Sequence, residues 1–251
     1  MRIRIFLLGI ILLSVFNLYA QQFISKATIE YEVKANIKKT MGNNTFEEML
    51  KESLPTFKTG YYNFTFADNK SVYKFDHWAP GPKVPDFLRR SDEDNIWYYD
   101  YNSGKYNMQK NVYGSNFNIE DSIPKLQWRI TNENRVIAGF NCRKAVAKIF
   151  DSVYVFAFYT DEILIPGGPC SINGLPGMIL GVTIPRLYTS WIATKVSVVG
   201  VDENAVKPAA VKKTYTMKFL RSTIDDRIKD WTTDNDEERQ QKNRFVWTLL
   251  L

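Results

Sequence analysis

Ala27-Thr28-Ile29-Glu30-Tyr31-Glu32-Val33-Lys34-Ala35-Asn36-Ile37 alternates apolar and polar residues without a break. Ile29, Tyr31, Val33, Ala35 and Ile37 share one side, and Glu30, Glu32, Lys34 and Asn36 share the other. Successive strand side chains point to opposite faces, so this pattern predicts a β-strand with one dry and one wet face. The same character returns downstream. Thr59-Gly60-Tyr61-Tyr62-Asn63-Phe64-Thr65-Phe66 is aromatic and β-branched, and Asp68-Asn69-Lys70 offers a turn before Ser71-Val72-Tyr73-Lys74-Phe75. Two such runs around a short Asp/Asn turn predict a hairpin. Residues 95–101, the turn Asn102-Ser103-Gly104 and residues 105–110 repeat the design.

Further apolar runs follow at 135–140, 142–150, 153–159, 177–184, 191–199 and 213–220, with Thr131-Asn132-Glu133-Asn134 read as a polar turn before them. Roughly ten strands joined by short turns predict a mainly β protein built on a large antiparallel sheet. A sheet of that width curls, closes or splits into layers. The expected architecture is a strongly curved sheet or partly closed barrel with one or two helices, one of them on or in the concave face; a two-sheet sandwich is the alternative. Phe46, Met49, Leu50 and Leu54 recur at helical spacing before Pro55, and residues 236–247 have high helical propensity. Residues 77–90, with Pro80, Gly81, Pro82 and Pro85, read as a loop. Leu249-Leu250-Leu251 is an apolar end that is either docked or free.

Working outward, the start of the chain reads as a signal peptide over residues 1–20: Arg2 and Arg4, an apolar run over residues 5–16, and small Ala20 before a cleavage point. The apolar run is too short to span about 30 Å of hydrocarbon, so no transmembrane segment is expected after cleavage. The expected organisation is a signal peptide (1–20), a β domain (21–223) and a charged, helical C-terminal tail (224–251). Net charge falls from +6 to +4 when Arg2 and Arg4 leave. With acidic and basic residues interleaved, that balance gives no reason to invoke nucleic acid. The two cysteines, Cys142 and Cys170, permit a disulfide in an oxidising envelope; buried free thiols are the other reading. Two cysteines and a single histidine make a poor metal site, and no cofactor is expected.

The densest local signal is Asn173-Gly174-Leu175-Pro176-Gly177-Met178-Ile179, preceded by Pro166-Gly167-Gly168-Pro169. Gly174 and Gly177 admit positive φ or close backbone approach, and Pro176 fixes φ between them. Leu175 is then either an apolar knob held outward or a plug tucked beneath the turn. Gly174, Leu175, Pro176 and Gly177 are therefore the candidate binding loop. In this segment the chain resembles the GLPGLI family of Bacteroidota, with Met178 in place of the usual Leu. The likeness extends to Ile29-Glu30-Tyr31, Gly139-Phe140-Asn141-Cys142-Arg143-Lys144-Ala145, Phe158-Tyr159-Thr160 and Gly168-Pro169, in the family's order. The resemblance implies an exported protein, often associated with outer-membrane TonB-dependent receptor systems, and brings no catalytic residues.

A catalytic constellation is not evident in the residues themselves. His77 is the only histidine. Neighbours on a strand point to opposite faces, so Asp76 is not expected to orient it. The carboxylates Asp161 and Glu162, and Asp92, Glu93 and Asp94, are contiguous and expected to diverge into solvent. The 14 Tyr, 16 Phe and 6 Trp concentrate in the two aromatic hairpins, where core packing is the default and an apolar ligand groove the functional alternative. The expected function is a non-enzymatic periplasmic binding or assembly protein working with an outer-membrane partner. A carrier of a lipid or other apolar ligand is the second reading, and a hydrolase with a carboxylate pair the third.

Overall fold

The computed structural model describes residues 24–42, 45–150, 152–209, 211 and 213–251; the expected signal peptide, residues 1–20, lies outside the described residues. Eleven antiparallel strands form one curved, unclosed sheet. They are β1 (Ala27–Asn36), β2 (Phe57–Ala67), β3 (Lys70–Trp78), β4 (Ile96–Asp100), β5 (Lys105–Val112), β6 (Ser115–Ser122), β7 (Arg129–Ile137), β8 (Phe140–Ile149), β9 (Val153–Thr160), β10 (Met178–Ile184) and β11 (Thr189–Ser197). The order is β6-β5-β4-β3-β2-β1-β11-β10-β9-β8-β7, so the chain lays down one half, crosses from β6 to the far edge at β7, and meanders back to close on β1. The curved-sheet expectation holds, and the sandwich alternative does not.

The alternation over residues 27–37 sets the faces. Ile29 and Tyr31 are fully buried while Glu30 and Glu32 are not. Cross-strand register then carries one apolar row through the sheet: Ile29 opposes Phe64, Phe64 opposes Tyr73, Tyr73 opposes Trp97, Trp97 opposes Met108 and Met108 opposes Ile119. Such directly opposed pairs are the unit of sheet stabilisation, about 0.2–1 kcal/mol each beyond burial. Register shifts at Glu30/Tyr31, Tyr61/Tyr62, Ile130/Asn134 and Ile179/Gly181 mark where strands bend.

Among the described residues five α-helices occur rather than one or two: α1 (Ile37–Thr40), α2 (Thr45–Ser53), α3 (Arg90–Asp94), α4 (Met217–Ile228) and α5 (Asp236–Leu250). The strand expected at 213–220 is replaced. Only Tyr215 bridges, in parallel with Ile119 on the edge of β6, and α4 starts at Met217 behind the Thr216 cap, whose hydroxyl accepts from Phe219 N. That cap decides the element, because Leu220, Ile224 and Ile228 then fall on one buried face at i, i+4 and i+8. Helix α4 crosses the 223/224 boundary. The expected turn at 131–134 is a bulge inside β7, and the reversal occurs instead at Ala138-Gly139, both with positive φ. Within the predicted 77–90 loop, Trp78 still belongs to β3 and residues 86–88 form a 3-10 turn. No helix among the described residues is long and apolar enough to cross a membrane. Helix α2 forms where predicted, yet Phe46 and Met49 are 63% and 61% exposed.

Candidate functional site

The inner face of the sheet is covered by the 161–177 segment, by α4 and by the end of α5. Leu250 and Leu251 are buried, Ser171 Oγ donates to Leu251 O at 2.6 Å, and Tyr99 OH donates to Cys170 O at 3.1 Å. The apolar end of the chain is therefore docked. Between α3, the β2–β5 region of the sheet and the end of α5 this cover leaves a cleft. Its inner cavity of about 160 Å³ is lined by Lys58, Tyr62, Trp78, Asp92, Trp97, Lys110, Cys170 and Trp191 among others. An outer hollow of about 450 Å³ is lined by Phe87, Arg90, Tyr113 and Phe245. Ser91, Asn111 and Leu249 line both, so the two adjoin.

The outer hollow is aromatic and wet: Phe87 is 68% exposed, and Tyr113 packs against Phe245 at 5.9 Å between centroids. The inner cavity is polar at its rim and cationic at its floor. Helix α3 fans its three acidic residues to different partners. Asp92 pairs with Lys58 Nζ at 2.5 Å and accepts from Tyr62 OH at 3.1 Å. Glu93 accepts from Trp78 Nε1 at 2.6 Å and from Arg89, and these bonds hold its carboxyl below the usual range. Asp94 accepts from Asn111 Nδ2 at 3.1 Å. The carboxylates expected to diverge into solvent thus diverge toward different side chains, Glu93 staying exposed and Asp92 and Asp94 half-buried, because a one-turn helix points successive side chains about 100° apart.

Lys110 sits at the floor, only 4% exposed, with Nζ 5.2 Å from the Trp97 ring centroid and 3.5 Å from Thr248 O. Burial pushes its pKa down. Among the described residues no carboxylate lies within 4.0 Å of it, and Trp97 Nε1 has no hydrogen-bond partner.

No family model and no curated protein matches the chain. Solved structures do. PNGF-II in its P21 crystal form aligns with a TM-score of 0.51 at 14% identity, over 78% of this chain and 32% of that one. Its C2 form gives 0.52 at 12% identity over the same shares. The chain spans about a third of the length of that protein, and identity this low establishes a shared fold alone.

The Gly174-Leu175-Pro176-Gly177 loop is a plug. Leu175 is 1% exposed within the main core, while Gly174 and Pro176 face outward. Gly177, at φ +149°, lies so close to β9 that an added Cβ would sit 2.0 Å from Thr160 O. None of the four residues lines the cleft. Cys142 and Cys170 are not bonded to each other: both are free, buried thiols, pushed up by burial to about 11 and about 12. Cys142 lies in β8 while Cys170 lines the cleft.

One expectation about His77 is corrected. Its Nδ1 lies 2.6 Å from Asp76 Oδ2, so Asp76 does orient it. The reason is the register shift opposite Tyr61/Tyr62: Tyr61 faces His77 and Tyr62 faces Phe75, which leaves Asp76 as the extra, unpaired residue of a bulge. The pair is about half exposed, His77 stacks on Tyr61 at 4.7 Å, and neither lines the cleft. Asp161 and Glu162 are exposed. Among the described residues no three His, Cys, Asp or Glu side chains gather as a metal site.

Lys110 and Trp97 were missed by the sequence reading, and a signal for the first was present. Tyr106, Met108 and Lys110 are in phase on β5, all buried, so period two places a lysine on the apolar face. A charge in that phase marks either a pairing partner or a site.

Proposed function

We propose that the protein is an exported, non-catalytic binding protein of the cell envelope that takes a ligand, or an end segment of an outer-membrane partner, into the cleft between α3, the sheet and α5. The observation that carries this reading is the adjacency of the two hollows, one with exposed aromatics at Phe87 and Phe245 and the other lined by buried Lys110. Concave sites with apolar walls and few convergent polar groups are the usual form of a ligand pocket. The signal-like leader and the resemblance to the GLPGLI family support an envelope location and an association with TonB-dependent systems. Binding is favoured over thiol-based turnover by the state of the cysteine in the cleft. Cys170 is held protonated, and a thiol is a poor nucleophile.

A second reading, carriage of a lipid or other apolar ligand, is favoured by another cavity. About 480 Å³ lies between α4, the end of α5 and the strands, lined by Tyr99, Tyr106, Leu126, Ile149, Phe150, Ile172 and Met217, with Lys148 and Arg221 among its polar lining. Native protein recovered from envelope extract, with mass spectrometry of co-purifying proteins and lipids, tests both. The cleft reading expects a species retained by the wild type and lost from Phe87→Ser. The carrier reading expects a lipid retained by Phe87→Ser and lost from Met217→Asp. Recovery of the same species at the same level from all three proteins overturns both.

A further inference from the structure

We propose that the inner end of the cleft binds the carboxylate of a small organic acid, with Lys110 supplying the positive charge, Trp97 Nε1 an N–H donor, and Trp78 and Trp191 the walls for a flat apolar body. This assigns a ligand class to the cleft and rests on the cleft being the binding site.

The charge balance gives the sign and the number. Lys58 and Asp92 neutralise one another at 2.5 Å. Glu93 is matched by Arg89 at 2.8 Å. Among the described residues Lys110 is left as a buried cation whose neighbours are the Trp97 ring face and the Thr248 carbonyl at 3.5 Å. A buried ammonium without a counter-ion is costly, and the protein has two ways out: lose the proton or accept an anion. Burial disfavours the charged form and lowers the Lys110 pKa, against the opposing pull of Asp92. An incoming anion would meet that charge, while Asp92, which lines the same cavity, disfavours a second negative charge, so a monoanion suits the site better than a phosphate dianion.

The donors and the volume narrow the ligand further. Trp97 is only 3% exposed and lines the same cavity; its unpartnered Nε1–H is itself buried, and a small turn of the ring would bring it to one oxygen of a carboxylate held by Lys110 through the other. Buried donors left unmatched cost about as much as a lost hydrogen bond, so a ligand that satisfies one gains that free energy on binding. A volume near 160 Å³ is the size that admits one aromatic ring or a short aliphatic chain. The body of the acid would pack on Trp78 and Trp191 and leave through the hollow beside Phe87.

Titration of the full mature chain by calorimetry tests the assignment, with benzoate and cyclohexanecarboxylate as charged probes and benzyl alcohol as the neutral one. Benzoate is expected to bind saturably to wild type, about ten- to a hundredfold more tightly than benzyl alcohol, because a buried charge-assisted pair is at stake. Lys110→Met, which keeps the length and removes the charge, is expected to lose that preference. Lys110→Arg is expected to retain part of it, and thermal melts confirm that each variant is folded. Benzoate binding is also expected to weaken as pH rises and Lys110 is neutralised. Benzoate affinity unchanged in a folded Lys110→Met overturns the proposal. If benzyl alcohol binds as well as benzoate and Phe87→Ser abolishes both, the carboxylate assignment fails while the cleft reading stands. If none of the probes binds wild type, the carboxylate assignment fails, and the extract experiment decides the cleft reading separately.

Discussion

Replacing Gly177 by alanine and, separately, Gly174 by alanine should separate two physical roles within one four-residue motif. Both glycines have positive φ, +149° and +87°. An alanine at Gly174 meets nothing nearer than Trp128 Nε1 at 3.9 Å. Its cost is therefore that of the backbone conformation alone, about 1–2 kcal/mol. At Gly177 the new Cβ would lie 2.0 Å from Thr160 O and 2.9 Å from Thr160 C. Neither atom can rotate away, so the backbone must part by about 1 Å to restore ordinary contact. Gly177 adjoins Met178, which pairs with Thr160 at the start of the β9–β10 ladder and donates to Ile163 O at 2.9 Å. Losing one or two such bonds at about 1 kcal/mol each, added to about 1–3 kcal/mol for the strained φ, gives about 2–5 kcal/mol. Urea unfolding of both variants, with matched m-values, measures the difference directly. A gap of about 2 kcal/mol is expected, or about 4–8 °C in Tm for a domain of this size. Equal costs within about 0.5 kcal/mol would refute the close-approach argument and leave the motif as an ordinary turn.

Two further outcomes follow from burial. Leu175→Asp places a carboxylate where the side chain is 1% exposed, so soluble yield and cooperative unfolding should both collapse; a folded variant that loses only partner capture would make Leu175 a contact residue instead. Stability should fall as pH rises from 9.0 toward about 12, because the folded Cys170 thiol stays protonated while the unfolded thiol ionises. The unfolded state then holds fewer protons, so the slope is negative, and Cys170→Ala should flatten it. The buried Tyr99 and Tyr73 hydroxyls, also raised by burial, add loss of the same sign above 10.0, whereas Lys110, lowered by burial, opposes it until 10.5. Urea melts between about pH 8 and 10 on wild type and Cys170→Ala check the sign; a slope that the variant leaves unchanged refutes it.

What the sequence determined by itself was the strand inventory and its faces. Period two over residues 27–37 and the paired aromatic hairpins fix which side chains turn inward, and a sheet that wide has few ways to bury them. The two glycines of the 174–177 turn were legible because only glycine tolerates such φ values. Local rules failed where a long-range partner outweighed propensity. The apolar run at 213–220 became the start of α4 once the Thr216 cap and the core contacts of Leu220 and Ile224 were available to it. Asp76 came to orient His77 only because the bulge opposite Tyr61 and Tyr62 removed it from the alternation. The cleft was decided by tertiary structure alone. It joins β2, β4, β5, α3 and the end of α5, and no local pattern encodes how the closing helix lies across the sheet. Lys110 was visible as a charge in the buried phase of its strand, but whether a carboxylate would reach it depended on where α3 sent Asp92, and that residue went to Lys58.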